Sequence, residues 1–193
     1  LYAYATAQFP DVYKEIRKWV RAGRWETTGA MWVEADCNAT SGESLVRQML
    51  YGIEFFGREF GTRPRSLWLP DVFGYSGALP QILQRCGLPY FFTCKLHWQS
   101  RNPFPDHLFW WRGIDGSRVL AHIPLHPDYY NNATEPDDLR ACWDNFLQKG
   151  QYDEVLVPFG FGDGGGGPTA HQLECAGRAK AFPGLPPCRQ DGA

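Results

Sequence analysis

Short apolar runs alternate with amphipathic stretches along this sequence, and that alternation constrains the fold more than any other feature. The clearest stretch has apolar residues at helical spacing between Ser41, a good N-cap, and Gly61, just past its end. Helices between strands favour right-handed parallel crossovers, and therefore an α/β sheet or barrel. The predicted helices are 10–22, those that begin near Ser41, Ser76 and Thr134, and 169–181; the predicted strands are 31–35, 66–70, 90–96, 118–125 and 154–159.

The composition argues against several classes of function. The 193 residues carry a formal net charge of -2, so there is no overall basic field to attract a nucleic-acid backbone. The sequence has no stretch of about 20 apolar residues that would cross a bilayer. The six cysteines form no CxxC pair, which predicts scattered free thiols rather than a disulfide framework. We therefore expect neither a nucleic-acid partner nor a membrane partner.

Polar side chains follow the predicted strands at their carboxyl ends, where the active groups of parallel α/β proteins collect. Asp36 follows the first predicted strand and Asp71 the second. Lys95 closes the third strand, and Asp163 follows the fifth. Carboxylates around one pocket suit acid–base chemistry, nucleophilic attack or metal binding. Asp36 has an equally good interpretation as a turn or capping residue.

The surroundings of Asp71 are the most informative of these. Residues 68–76 read WLPDVFGYS, so Pro70 sets a rigid approach and aromatic side chains stand on both sides of the carboxylate. Aromatic side chains beside a carboxylate are typical of a sugar-binding site, because the C–H faces of a sugar stack on aromatic rings while carboxylates bind its hydroxyls. The alternative is a capping aspartate within an aromatic core.

A glycine-rich stretch lies between the last predicted strand and helix, and residues 160–168 read GFGDGGGGP. Its glycines satisfy GxGxxG, which leaves a nucleotide-dependent oxidoreductase as one alternative. However, Asp163 would place a carboxylate beside the pyrophosphate, and no Gly-Lys-Ser/Thr ending follows. We interpret the stretch as a flexible loop that carries Asp163 close to a substrate.

Several specific blocks follow one another along the chain. They are WVEADCN at 32–38, SGES at 41–44, RQ at 47–48, WLPDVFGYS at 68–76, LPQI at 79–82, DGS at 115–117 and GFGDGGGGPT at 160–169. Together they resemble glycoside hydrolase family 38, in the subgroup of cytosolic or vacuolar class II α-mannosidases. The resemblance covers most of residues 1–170, and the second-strand and glycine-rich blocks are each highly specific.

The resemblance implies an α/β catalytic domain built as a parallel-strand, irregular (β/α) barrel, here incomplete at both ends. It implies a retaining exo-α-mannosidase that hydrolyses terminal α-D-mannosyl residues of oligosaccharides or N-glycans by metal-assisted double displacement. The implied cofactor is one divalent metal ion, zinc, with cobalt as the alternative. On this basis residues 1–181 are a partial catalytic domain and residues 182–193 an irregular tail or truncation edge.

The resemblance also assigns roles to individual residues. Asp71 takes the position of the nucleophile, which in the family also ligates the metal. Asp163 is the candidate acid/base. Asp36, Phe73 and Lys95 fall at positions that bind substrate.

The other metal ligands implied by the family, an upstream His-x-Asp pair and a downstream histidine, lie outside this chain. The pair formed by His126 and Asp128 follows the nucleophile and so has the wrong order. We expect the remainder of the parent chain to supply the ligands, and this chain alone to bind the catalytic metal poorly and to be inactive. The expected location is cytoplasmic, with vacuolar or lysosomal as alternatives. A non-catalytic carbohydrate-binding module with the same pocket is the alternative function.

Overall fold

The structure is a computed structural model that describes residues 1–98, 101–102, 104–124, 130–163 and 165–192. The helices are α1 (Tyr2–Gln8), α2 (Pro10–Arg21), α3 (Gly42–Phe60), α4 (Leu79–Arg85), α5 (Pro136–Asn145) and α6 (Ala170–Ala179). The strands are β1 (Ser66–Trp68), β2 (Tyr90–Phe92), β3 (Leu108–Arg112) and β4 (Arg118–His122), and a 3-10 turn covers Lys95–His97. Within the described ranges, no helix is both long and apolar enough to cross a bilayer.

Helix α3 begins and ends where the sequence predicts. The Ser41 hydroxyl accepts the backbone N–H of Ser44 at 3.1 Å, which satisfies one of the free amides of the first turn. Gly61 ends the helix in the left-handed conformation, with φ of 69°. The buried face of the helix consists of Leu45, Met49, Gly52, Phe55 and Phe56.

The strand predicted at 31–35 is wrong, because this segment makes its hydrogen bonds with helix α3. The backbone N–H of Trp32 donates to the carbonyl of Gln48 at 3.0 Å, and that of Val33 donates to the Gln48 side chain at the same distance. The backbone at Ala30 lies so close to helix α3 that a Cβ on Gly52 of this helix would be 1.9 Å from the carbonyl oxygen of Ala30. All that remains of strand pairing here is an isolated parallel bridge between Gly29 and Leu67.

The expectation of an α/β fold with parallel strands, part of an irregular barrel, is confirmed only in part, because the described sheet is mixed and open. The four strands are ordered β1-β2-β4-β3; β1, β2 and β4 run parallel, whereas β3 is antiparallel to β4. Strand β3 is antiparallel to β4 because the two strands are joined by a tight turn at residues 113–117, which is too short to contain a crossover helix. Its Gly113 N–H donates to the Ser117 carbonyl at 2.8 Å, and the Asp115 carboxylate accepts the Ser117 N–H at 3.0 Å.

The sequence predictions for the second half of the chain were less accurate. Thr134 does not cap α5; it is buried with φ of 64°, and its hydroxyl donates to the Gln172 carbonyl at 2.9 Å. Residues 154–159 form no strand, although Phe159 makes an isolated bridge to Asn132. Pro158 in this segment has no N–H to donate to a ladder.

The main core lies between the sheet and helices α3 and α4. Leu79 and Leu83 of α4 pack against Val119 of β4 and the neighbouring strands with no exposed surface. At the edge of this core the rings of Trp68 and Phe92 stack with centroids 3.7 Å apart. All six cysteines are free thiols, which confirms the prediction from their spacing.

Three histidines lie close together below the carboxyl ends of β2 and β4. The rings of His97 and His107 have centroids 5.2 Å apart, and His122 stacks on Phe92 at 5.8 Å. Burial, reinforced by the neighbouring His107 and His97, lowers the pKa of His122 to about 4. Burial also lowers the pKa of His107. The folded protein therefore favours the neutral rings of His107 and His122.

We predict that acid destabilises the fold through this cluster. The unfolded chain binds protons at His122 near its ordinary pKa, so stability falls as the pH drops through the window between that value and about 4. For His122 alone the loss between about pH 7.5 and about pH 5 is roughly 2 kcal/mol. Urea unfolding at both pH values measures it. The variant His122→Phe should lose clearly less stability on acidification, and an equal loss in both proteins would contradict the prediction.

Candidate active site

The register of β1 and β2 brings Asp71 and Lys95 together. The strands are parallel neighbours, with Trp68 opposite Phe92. The pairing continues past the strands, because the N–H of Leu69 donates to the Phe92 carbonyl at 3.0 Å. Asp71 and Lys95 follow Trp68 and Phe92 by the same number of residues, so both lie at the same edge of the sheet. Lys95 Nζ lies 2.6 Å from Asp71 Oδ1.

The two partners of this ion pair have different environments. The Lys95 side chain is 4% exposed, whereas that of Asp71 is 47% exposed. Burial by itself lowers the pKa of Lys95, but the hydrogen bond and the negative charge of Asp71 outweigh that effect and raise the pKa overall. Lys95 therefore remains a cation near neutral pH, anchored below a carboxylate that faces solvent.

Aromatic rings surround the Lys95 ammonium. Its Nζ lies 3.7 Å from the ring centroid of Trp98, 4.9 Å from that of Phe73 and 5.8 Å from that of Tyr130. Phe73 and Trp98 meet edge to face at 5.9 Å, and both remain exposed. Asp71 therefore stands at an open aromatic surface, which excludes the alternative of a capping aspartate in a buried aromatic core.

An open depression of about 290 Å³ lies in front of Asp71. It is lined by Glu34, Asp36, Asp71, Val72 and Phe73. Glu34 Oε1 accepts the backbone N–H of Asp71 at 2.9 Å and so helps to position that residue. Glu34 was not predicted as a site residue from the sequence, although it lies within the distinctive block at 32–38.

Asp36 lies in the depression but also has a structural role. Its Oδ1 accepts the backbone N–H groups of Ala39 at 2.6 Å and Asn38 at 2.8 Å. These two hydrogen bonds, that from Ala39 first, lower the pKa of Asp36. Its interpretation as a turn residue is thus confirmed, while its role in binding substrate remains a prediction.

The loop that carries Asp71 is held against the Asp36 turn. Gly74 has φ of 110°, and a Cβ at this position would lie 2.1 Å from Asn38 Nδ2. That nitrogen donates to the Phe73 carbonyl at 3.3 Å. Glycine at position 74 is therefore required both by its backbone conformation and by the close approach of Asn38.

Tyr75 holds the same loop from below. Its hydroxyl lies 2.9 Å from the Val72 carbonyl and 3.1 Å from the Leu69 carbonyl, and it also contacts the Thr93 hydroxyl. Burial raises the pKa of Tyr75, so the neutral hydroxyl is the relevant form. These contacts preorganise the chain on both sides of Asp71.

The glycine loop approaches this site through Tyr130. A Cβ on Gly162 would lie 3.1 Å from Tyr130 Cε2, and the Tyr130 ring centroid is 5.8 Å from Lys95 Nζ. Burial raises the pKa of Tyr130, and the negative charges of Asp71 and Asp163 add to the increase. Asp163 and Asp71 therefore both lie near Tyr130, a residue that was not predicted from the sequence to belong to the site.

The start of α6 argues against nucleotide binding by the GxGxxG pattern. The Thr169 hydroxyl accepts the Gln172 N–H at 3.1 Å, and Gln172 Oε1 accepts the Thr169 N–H at 2.8 Å. This capping box occupies backbone amides that a pyrophosphate would need. The strand predicted before the loop is also missing.

The described side chains around Asp71 do not assemble a catalytic metal site by themselves. Asp71 Oδ1 pairs with Lys95, while one oxygen each of Glu34 and Asp36 accepts backbone N–H groups. In the part of the chain that the structure describes, no three metal-binding groups converge at this depression. His126 and Asp128 lie outside the described residues.

Comparison with known proteins identifies relatives over nearly the whole sequence. Residues 1–191 match the glycosyl hydrolases family 38 N-terminal domain. The chain is 43% identical over 183 residues to alpha-mannosidase 2C1 of Homo sapiens, covering 95% of this chain and 18% of the relative. It is 40% identical over 185 residues to alpha-mannosidase G of Dictyostelium discoideum, covering 96% of this chain and 17% of the relative. The chain thus spans less than a fifth of the length of these relatives.

A solved structure shares the fold. A protein of glycosyl hydrolase family 38 from Enterococcus faecalis matches 97% of this chain and 20% of its own, with a TM-score of 0.60 and 21% sequence identity. The match over residues 1–191 and the identity to the curated relatives establish the relationship. The chain belongs to glycosyl hydrolase family 38.

Proposed function

We propose that the intact protein is a retaining exo-α-mannosidase that removes terminal α-D-mannosyl residues from oligosaccharides or N-glycans, and that this chain supplies its nucleophile. The observation that carries the proposal is the exposed Asp71 carboxylate, held at 2.6 Å by the buried Lys95 ammonium in an open depression. Membership of family 38, with relatives named as alpha-mannosidases, supports the same reaction.

Asp71 is suited to attack an anomeric carbon. The Lys95 ammonium holds one carboxylate oxygen, and Glu34 fixes the backbone N–H of the same residue. The carboxylate is therefore oriented before substrate binds, which lowers the entropic cost of attack. In the first step Asp71 forms a bond to C1 as the glycosidic C–O bond breaks; water then releases mannose with retained configuration.

The aromatic surface supplies a place for the sugar ring. Phe73 and Trp98 present exposed ring surface next to the Asp71 carboxylate. A pyranose can lay its C–H face on such rings while its hydroxyls bind the carboxylates of the depression. We assign Phe73, Asp36 and Lys95 to substrate binding and add Trp98 to this set.

Asp163 is the proposed acid/base. It lies on the glycine loop with φ of 43°, and that loop contacts Tyr130 beside Lys95. A retaining mechanism needs its two carboxyl groups about 5–5.5 Å apart in the complex with substrate. The glycines around Asp163 give the loop the freedom to reach that separation.

The divalent metal implied by the family, zinc or cobalt, is part of the proposal for the intact protein. Its remaining ligands would come from the rest of the parent chain, with Asp71 as the ligand from this chain. When bound, such an ion supplies positive charge that holds sugar hydroxyls. We expect the 193-residue chain alone to show no mannosidase turnover, and a cytoplasmic location stays a prediction.

Replacing Asp71 tests the nucleophile. In the intact protein, Asp71→Asn should lower kcat for an aryl α-mannoside by at least about a thousandfold, because asparagine cannot form the glycosyl intermediate. Asp115→Asn is the matched control, since Asp115 lies in the turn before β4, at the amino end of that strand, whereas the candidate active site lies at the carboxyl ends of β1 and β2.

NMR of the first-formed sugar anomer reports the stereochemistry of the reaction. Activity retained in Asp71→Asn, or an inverted product, would overturn the mechanism; mannose binding without turnover in the parent protein would favour the binding-module alternative.

Replacing Lys95 tests the ion pair. Lys95→Met keeps a buried chain of similar length but removes the charge that orients Asp71. We expect kcat to fall by about a hundredfold, as for loss of one preorganised electrostatic contact. Lys149→Met is the control, because Lys149 is bound instead to the Asp144 carbonyl. Equal kcat values in the two variants would show that the pair is dispensable.

Replacing Asp163 tests the acid. Asp163→Asn should slow hydrolysis of substrates with poor leaving groups by about 10²–10⁴-fold, while substrates with good leaving groups, which need little protonation, should be affected far less. The alkaline limb of the pH–rate profile should disappear with the same change. The measurement is the hydrolysis rate of Asp163→Asn across a series of aryl mannosides with different leaving groups. An equal decrease in rate for every member of the series would rule out Asp163 as the acid.

A further inference from the structure

Three side chains with metal-binding atoms converge outside the depression at Asp71. Glu135, His171 and Cys175 place a carboxylate oxygen, an imidazole nitrogen and a sulfur within 4.8 Å of one another. His171 Nε2 lies 2.7 Å from Glu135 Oε1 and 3.6 Å from Cys175 Sγ. The His171 side chain is 69% exposed, so an ion in solution can reach the group.

The backbone around this group is held by buried contacts. His171 and Cys175 occupy positions i and i+4 of α6 and so share one helix face. The residue before Glu135 is tied to α6, because the Thr134 hydroxyl donates to the Gln172 carbonyl at 2.9 Å. Glu135 is the N-cap of α5, but its carboxylate makes no capping hydrogen bond and is directed to His171 instead. The three ligands are thus arranged before any ion binds.

We propose that Glu135, His171 and Cys175 form a surface binding site for Zn²⁺. Thiolate, imidazole and carboxylate are the ligand types that zinc prefers, and three protein ligands leave the fourth tetrahedral position for water. The carboxylate and the thiolate together neutralise the charge of the ion. Binding breaks the Cys175 S–H bond as the sulfur–zinc bond forms, and the proton passes to solvent.

The site connects two parts of the chain that are far apart in sequence. An ion bound there joins the start of α5 to the first turns of α6. Helix α6 follows the glycine loop directly, so zinc would restrain the base of the loop that carries Asp163. The site shares no residue with the proposed mannosidase site and does not depend on that function.

Cobalt titration of the 193-residue chain tests the site, because Co²⁺ is a spectroscopic substitute for zinc. We expect one equivalent of Co²⁺ to give visible bands of a four-coordinate ion and a near-ultraviolet thiolate-to-metal band, both lost when Zn²⁺ is added. Cys175→Ser should abolish the thiolate band, and His171→Gln should weaken Co²⁺ binding about tenfold or more. Cys188→Ser is the matched control, since Cys188 donates to the Pro186 carbonyl and belongs to no ligand group among the described residues.

A second readout separates ion binding from damage to the fold. Without metal, the melting temperatures of the two ligand variants should stay close to that of the parent chain, because His171 is exposed, Cys175 is only half-buried and both substitutions keep a polar side chain of similar size. Zn²⁺ should raise the melting temperature of the parent and of Cys188→Ser, but not that of Cys175→Ser. The proposal is overturned if no thiolate band forms, or if the band and the Zn²⁺ stabilisation persist in Cys175→Ser.

Discussion

The ion pair between Lys95 and Asp71 organises the edge of the sheet at which the candidate active site lies. A lysine that is almost fully buried needs an anionic partner, since an unpaired ammonium in the protein interior is costly. Asp71 meets that need while keeping almost half of its side-chain surface in contact with solvent. The pair therefore directs one oxygen of the carboxylate into the protein and leaves the residue accessible to a ligand. The aromatic rings around the ammonium complete this arrangement.

The pair depends in turn on the parallel pairing of β1 with β2. Because Trp68 lies opposite Phe92, residues that leave the two strands after equal numbers of positions come out side by side. A slip of one residue in this register would move Lys95 out of step with Asp71 and reverse the face to which each side chain points. The Tyr75 hydroxyl and the close contact of Gly74 with Asn38 then fix the loop that carries Asp71.

Much of this edge was predictable from local pattern. The apolar runs before Asp71 and Lys95 predicted strands, and both residues were placed at carboxyl ends, as the structure has them. Glu34, Trp98 and Tyr130 were missed, because their importance arises from contacts with residues distant in the sequence. The predictions of strands at 31–35 and 154–159 were wrong for a related reason. The backbone of the first segment hydrogen-bonds to α3, and that of the second pairs only with Asn132, so neither segment joins the sheet.

The sequence by itself determined the approximate positions of α2, α3, α4 and α6, the caps of α3, the two strands that lead to the site, and the blocks that place the chain in family 38, whereas it did not predict α1. These are encoded locally, through periodicity, capping and short motifs. Only the tertiary structure decided that the sheet is open and mixed, that Lys95 is buried beneath Asp71, and that Glu135 meets a histidine and a cysteine of α6. Burial and long-range contact depend on how separate segments pack, and no local pattern specifies that packing.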